Sequence, residues 1–420
     1  MGSIETQFMQ IDKWLSAGDI KRAEVQIAKL LRGETTPAER AELFLRRARA
    51  RVVSERPDEA LEDLQTCRAL APALWELPTT QELLGDAHFS RFELAPVGFA
   101  ERADTDRAMA CYKAIEREHP TYPNMGWVMY QWGRILLSED KVDEAIAKFN
   151  EALVKPASIP ALTALCYERL GFAYMQDKRD PATALSFFAR AASTYPKGES
   201  AGWLVSLHLL RSRAFREQHH YDDALGSAQM ALSIADPSEP DYRVAVSDAH
   251  LSLGEILSVL PGREREAADH LEEFLQHSRR PQGVDVTWSR VHETLGEMWF
   301  RLERYEQAIE AYHSALAFNP YHPWELTVYY QIARSHYQLR EYEKTIAAIE
   351  QMQKVAQTEQ QPIKDHRVYS LLGDAHFALS HHSQASVAYQ QAVDLAPQNA
   401  DNLDTLKTYL KFARELAQKH

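Results

Sequence analysis

VTWSRVHETLGEMWFRLERYEQAIEAYHSALAFNP, running from Val286 to Pro320, reads as two amphipathic helices joined by a short polar turn. Val291, Leu295, Trp299 and Leu302 recur at three- and four-residue steps, and Ala308, Ile309, Tyr312 and Leu316 repeat the spacing after the turn. That period places each set on one face of an α-helix. Asn319-Pro320 ends the second helix, because proline cannot donate the backbone hydrogen bond a helix interior requires. Gly296 and Ala308 are small where the two helices are expected to cross, and the aromatic side chains are expected to fill the gaps between successive units.

The same ruler fits elsewhere. From Gly296, Ala308 lies 12 residues on, Tyr312 4 further, Ala315 3 further and Pro320 5 further. From Gly373 these steps reach Ala385, Tyr389, Ala392 and Pro397. From Gly133 they reach Ala145, Phe149, Ala152 and an early Pro156, and from Gly171, with one residue inserted, Ala184, Phe188, Ala191 and Pro196. Weaker copies begin at Ala48 and Ser212, and Gly85 reaches Ala108, Tyr112 and Pro120 only after 11 extra residues. The small residue of the second helix falls at Ala23, Ala60, Ala108, Ala145, Ala184, Ala224, Ala267, Ala308, Thr345 and Ala385, a mean step of about 40 residues over ten units. LLGDAHF, present at Leu83–Phe89 and again at Leu371–Phe377, is thus a repeat element in units three and ten.

These units resemble tetratricopeptide repeats (TPRs), with that family's Leu-Gly, Ala, Tyr or Phe, Ala and Pro pattern. The resemblance is specific in units four, eight and ten and covers almost the whole chain. Units one, three, seven and nine are irregular: Ile11 stands in the glycine slot, unit three carries the expansion, unit seven runs through LPGREREAADHLEEFLQH, and unit nine has Ala333, Thr345 and Met352. The step exceeds the family's usual length of about 34 and resembles the longer-helix subgroup of peptide-sensing regulators and scaffold adaptors. The resemblance implies an all-α, right-handed superhelical solenoid of about ten helix-turn-helix repeats over residues 1–398. Residues 399–420 would form a capping helix with Leu403, Leu406, Leu410 and Leu416 inward and Lys407, Lys411 and Arg414 outward, since a last repeat without a cap exposes its core face.

Composition narrows the function. With 45% hydrophobic residues over 420 positions the chain can bury a large core. A balance of 47 basic against 60 acidic residues, net −13, disfavours nucleic acid as the main partner. No apolar run approaches the roughly 20 residues a membrane span needs, and MGSIETQFMQIDKWL lacks the basic-then-apolar pattern of a secretory signal. Cys67, Cys111 and Cys166 lie in apolar helical stretches with no C-x-x-C spacing, and are expected to be buried, reduced thiols of a cytoplasmic protein. Nucleotide-binding, hydrolase and metalloprotease motifs are absent from the sequence, so no catalytic residue, cofactor or metal is expected. The adjacent pairs His219-His220 and His381-His382 point to different helix faces near inter-helix turns, and His88, His336 and His376 share a slot expected to serve inter-helix packing.

In TPR proteins the residue after the glycine commonly faces the concave groove. Here that slot reads Arg49, Asp86, Arg134, Phe172, Arg213, Glu255, Glu297, Arg334 and Asp374. The TPRs that clamp a chaperone's C-terminal carboxylate carry Asn there with Lys four residues earlier, a pattern not found here. Trp127, Tyr130, Arg216, Tyr330 and Tyr337 lie on the same helical faces. Arginine beside aromatics suits an extended partner peptide with acidic and apolar side chains; alternatively, these arginines pair with acids of adjacent units. The expansion in unit three, SRFELAPVGFAERADTD, brings Phe92, Leu94, Val97 and Phe99, which is more apolar content than a solvated loop carries. Those side chains are expected to be covered locally or to form a docking or self-association segment. The leading expectation is a non-enzymatic adaptor that binds a segment of another protein. Its rival is a sensor subunit whose solenoid tightens on a signalling peptide or small ligand and controls an enzyme or transcription factor. A catalytic reading would need a domain for which the repeats leave no residues.

Overall fold

The computed structural model describes residues 4–96, 98–155, 160–196, 201–235, 242–319 and 325–418. Met1 to Ser3, Val97, Pro156, Pro320 and His420 lie outside these. Among the described residues there are 22 α-helices and no strand.

The chain divides into two compact units, Met1–Glu199 and Ser200–His420. In the N-terminal unit α1 (Ile4–Ser16) pairs with α2 (Ile20–Leu31), and α3 (Pro37–Val53) with α4 (Pro57–Leu70). A single turn, α5 (Pro72–Trp75), leads to α6 (Pro78–Leu94), which pairs with α7 (Arg102–Glu118). Then α8 (Met125–Ser138) pairs with α9 (Val142–Val154), and α10 (Pro160–Gln176) with α11 (Pro181–Thr194). The C-terminal unit continues with α12 (Ala201–Glu217) on α13 (Tyr221–Ile234) and α14 (Arg243–Leu257) on α15 (Glu264–His277). It is completed by α16 (Val286–Arg301) on α17 (Tyr305–Phe318), α18 (Glu325–Gln338) on α19 (Tyr342–Thr358), and α20 (His366–Ala378) on α21 (His382–Leu395). Finally α22 (Leu403–Ala417) lays Leu406, Leu410 and Ala413 against Tyr389, Ala392 and Val393 of α21, with Lys407, Lys411 and Arg414 exposed.

A recurring device sets the turn inside each pair. Asp140, Glu303 and Ser380 follow α8, α16 and α20 in the left-handed region, with φ of 58°, 59° and 61°. The next residue then reaches back five positions: Lys141 N–H donates to Leu136 C=O at 2.9 Å, Arg304 to Trp299 at 2.8 Å and His381 to His376 at 2.8 Å. This bond satisfies a helix-terminal carbonyl that would otherwise lack a partner. It offsets the roughly 1–2 kcal/mol a side chain costs in that conformation. Gly18, at φ 75°, turns α1 into α2 in the same way, with Asp19 N–H donating to Trp14 C=O at 2.9 Å.

The glycines explain the crossing differently from the sequence expectation. A Cβ on Gly133 would lie 2.6 Å from Cε1 of Phe149, and Gly85, Gly296 and Gly373 meet Tyr112, Tyr312 and Tyr389 at the same 2.6 Å. Each aromatic therefore seats on the glycine of its own hairpin, inside the unit and not in the gap between units. Where alanine replaces glycine, at Ala48 and Ala333, the residue sixteen positions on is the smaller Leu64 or Ile349 in the same core cluster. Close packing without voids requires this compensation of volumes.

Candidate functional site

One cavity of about 630 Å³ opens in the N-terminal unit. Its walls come from the first helices of five successive pairs, α1, α3, α6, α8 and α10, together with the α7–α8 connection. The apolar part comprises Leu45, Val52 and Val53 of α3, Leu83 of α6, and Leu162 and Leu165 of α10.

Asp86 anchors the polar part, and the fold around it follows from Gly85. With no Cβ on Gly85, the Tyr112 ring packs closely against α6, and its hydroxyl donates to Asp86 Oδ1 at 2.6 Å. Trp127 Nε1 donates to Oδ2 at 2.9 Å, and Gln131 Nε2 donates to Oδ1 at 3.3 Å. Burial pushes the Asp86 carboxyl above the ordinary carboxylate range, against the pull of these three donors. One turn earlier on α6, Glu82 accepts from Asn124 Nδ2 at 2.7 and 2.8 Å. Burial, and then the charge of Asp86, raise its pKa to about 7, while hydrogen bonds from Asn124 and Tyr122 and the charge of Arg49 act the other way. Of the two arginines in the lining, Arg46 is held by Asp12 at 2.9 Å and Glu42 at 2.6 Å. Arg49 is exposed and has no ion-pair partner among the described residues.

Glu82 makes stability depend on pH. Folded, it keeps its proton up to about pH 7; unfolded, it releases it near 4.5. The native state therefore binds more protons across that window, and the contribution of Glu82 falls as pH rises from about 4.5 to 7. Glu82→Gln should remove this slope, so the difference in urea midpoint between variant and parent should grow in the variant's favour from pH 5 to pH 7.5. A constant difference would rule out a raised Glu82.

The slot after the glycine thus brings Arg49 and Asp86 to the cavity, where Trp127, from the same helical faces, joins them. Tyr130 and Arg134 go elsewhere. Tyr130 is buried with its ring 5.9 Å from that of Phe149. Arg134 lies 4.9 Å over Phe89, bonds Gln131 at 2.8 Å and is paired with Glu93. Phe172 is half-buried on α10. In the C-terminal unit Arg216 pairs with Glu255, and Arg213 lies 3.4 Å from Glu217. Arg334 sits 4.5 Å over Phe300 and, with Tyr330, Tyr337, Arg367 and Asp374, lines a second cavity of about 230 Å³. Asp374, the counterpart of Asp86, accepts from Tyr389 at 2.7 Å. The sequence reading missed Glu82, Tyr122, Asn124 and Arg46, although Glu82 stands four residues before Asp86 and so on the same helix face.

Much of the unit-three expansion lengthens α6, which runs on through Leu94. Phe92 is half-buried and stacks at 6.3 Å on Phe89. Leu94 and Phe99 stay exposed at 45% and 77%. Asp104, almost fully buried at the start of α7, ties the two ends together by accepting from Arg91 Nε at 2.8 Å and contacting His88 Nδ1 at 3.1 Å.

The tetratricopeptide-repeat family profile matches residues 366–399, the α20–α21 pair and its exit. A signal-transduction ATPase with a tetratricopeptide-repeat sensor, from Pyrococcus horikoshii, superposes with a TM-score of 0.55 over 93% of this chain and 57% of its own, at 16% identity. The fold is that of a tetratricopeptide-repeat protein. The C-terminal part of a TPR protein from Cytophaga hutchinsonii is also similar, at a TM-score of 0.49 and 16% identity over 66% of this chain and 98% of that one. YrrB, described as a TPR protein with an unusual peptide-binding site, scores 0.38 at 18% identity over 51% of this chain and 96% of its own. No curated protein matches the sequence. The TPR fold is in general a protein-interaction scaffold and ordinarily non-catalytic. No helix among the described residues is long and apolar enough to cross a membrane.

Proposed function

We propose that this TPR protein is a non-enzymatic adaptor that holds a short segment of a partner protein in the cavity of its N-terminal unit. The observation that carries this reading is the convergence of five first helices on one concave site, with Arg49 unpaired among the described residues beside an apolar wall. A carboxylate on the partner would pair with the Arg49 guanidinium, and a bulky apolar side chain would fill the space between Leu45, Val52, Leu162 and Leu165. We place the protein in the cytoplasm on the strength of three buried free thiols, whose pKa values burial pushes up to about 11, 11 and 12 at Cys67, Cys111 and Cys166.

Display selection of random peptides on the intact chain tests the proposal, with Arg49→Glu selected in parallel. Enriched peptides should carry Asp or Glu near Leu, Phe or Trp, bind the parent more weakly as salt rises, and fail to bind the variant. Enrichment without acidic residues, or unaffected by Arg49→Glu, would overturn it. The volume of the cavity favours a second reading, a small-ligand sensor, because pockets of about 300–1,000 Å³ suit such ligands. A small molecule seen by native mass spectrometry on the parent, with no peptide enriched, would favour the sensor over the adaptor.

A further inference from the structure

Unit seven departs from the repeat pattern, and its hairpin gathers histidines. On α15, His270, Glu273 and His277 stand at i, i+3 and i+7 and share one face, and His250 of α14 lies against them. The Nδ1 atoms of His250 and His270 are 2.9 Å apart. His277 Nε2 lies 3.4 Å from a Glu273 carboxylate oxygen. One ligand atom each from His250, Glu273 and His277 falls within 4.8 Å of the other two. All four side chains are half-buried, so an ion from solvent could reach them.

Ordinary packing does not call for this. Most equivalent helix pairs meet through apolar side chains, whereas here imidazoles contact one another, with ring centroids at 5.1 and 5.8 Å from His250. Burial holds His250 and His270 below the usual histidine range, and the neighbouring imidazoles add to this for His250. Neutral imidazole is the form that binds a metal. Tetrahedral zinc with bonds of about 2.0–2.1 Å places its ligand atoms about 3.3 Å apart. The separations of 2.9 and 3.4 Å already lie near that value.

We propose that His250, His270, Glu273 and His277 bind one borderline divalent transition-metal ion, Zn²⁺ foremost, which ties α14 to α15. Three imidazole nitrogens and one carboxylate suit Zn²⁺, Co²⁺, Ni²⁺ or Cu²⁺ and disfavour Mg²⁺ and Ca²⁺, which take oxygen ligands. The site shares no residue with either cavity and does not depend on the adaptor reading.

The test uses the full chain without a histidine tag, stripped with EDTA and titrated with ZnCl₂ by calorimetry and with CoCl₂ by visible absorption. One equivalent should bind per chain, with a higher melting temperature and the intense visible bands of four-coordinate Co²⁺. His250→Gln, Glu273→Gln and His277→Gln should each weaken binding by more than the roughly 10–100-fold that loss of a mere supporting partner costs, while His381→Gln leaves it unchanged. Circular dichroism in EDTA identifies any variant that has lost its fold, and Glu273→Gln, at a half-exposed position, keeps the test open if a histidine variant does. Absence of binding overturns the proposal. So does binding that survives all three cluster variants or is lost in His381→Gln.

Discussion

Gly133→Ala should destabilise the protein by about 1–3 kcal/mol, where helix propensity alone predicts the opposite sign. Glycine inside a helix costs roughly 0.5–1 kcal/mol relative to alanine, so an unconstrained exchange would be a gain. Gly133 is not unconstrained. The added Cβ would lie 2.6, 2.8 and 3.0 Å from three ring atoms of Phe149, whose side chain is fully buried between α8 and α9. The ring must move, and its neighbours leave no space for it. Gly226 of α13 is the control, because a Cβ there meets nothing within 4 Å; Gly226→Ala should be neutral or stabilising. Shrinking the opposing residue should relieve the clash, so Phe149→Leu should cost less in the Gly133→Ala background than in the parent, by a coupling of about 0.5–3 kcal/mol. Urea midpoints at constant m-value measure all four. If Gly133→Ala and Gly226→Ala shift the midpoint alike, the glycine does not serve the aromatic seat.

The hairpins were legible because two signals agree along the chain: apolar residues at helical spacing and a glycine-to-aromatic step that recurs despite insertions. What lay opposite what was less legible. Spacing puts Tyr312 on the buried face of α17, but which neighbour it meets depends on the depth of the crossing, and Gly296 turns out to be its seat. The turn conformations were equally hidden, since Asp140, Glu303 and Ser380 adopt the left-handed region without being glycine. At the site, one slot of the repeat was enough to select Arg49 and Asp86, and the helical faces around that slot supplied Trp127. Arg134 and Arg334 occupy the same slot but lie over aromatic rings, an outcome that depends on residues about forty positions away on neighbouring helices. Asn124 and Tyr122 come from a connection, where no periodicity operates. The histidine cluster was half visible, because His270, Glu273 and His277 share a helix face in the sequence, whereas His250 joins them only when α14 packs on α15.

LLGDAHF occurs twice, and the largest loss should come from removing its aspartate in only one of the copies. Asp86→Ala leaves the buried Tyr112 hydroxyl, the Trp127 indole N–H and the Gln131 amide without their acceptor. An orphaned buried polar group costs about 1–3 kcal/mol. The sum is reduced because the variant also relieves a carboxylate whose raised pKa shows that burial opposes its charge, leaving a net loss of about 3–5 kcal/mol, comparable to breaking a buried charged pair. Asp374→Ala removes the acceptor of Tyr389 and, among the described residues, of no other donor; it should cost about 1–3 kcal/mol. Asp86→Asn should fall between them. Its oxygen can still accept from Tyr112 and Gln131, but its NH₂ then confronts the Trp127 N–H, donor against donor. Trp127→Phe deletes that N–H, so it should cost less in the Asp86→Asn background than in the parent. Because the two units need not unfold together, hydrogen exchange is the better measurement: protection should drop in α6 and α8 for the Asp86 variants, and in α20 for Asp374→Ala. Equal losses of protection around the two aspartates would show that the extra donors at Asp86 contribute nothing, and that the heptapeptide plays the same structural part in both places.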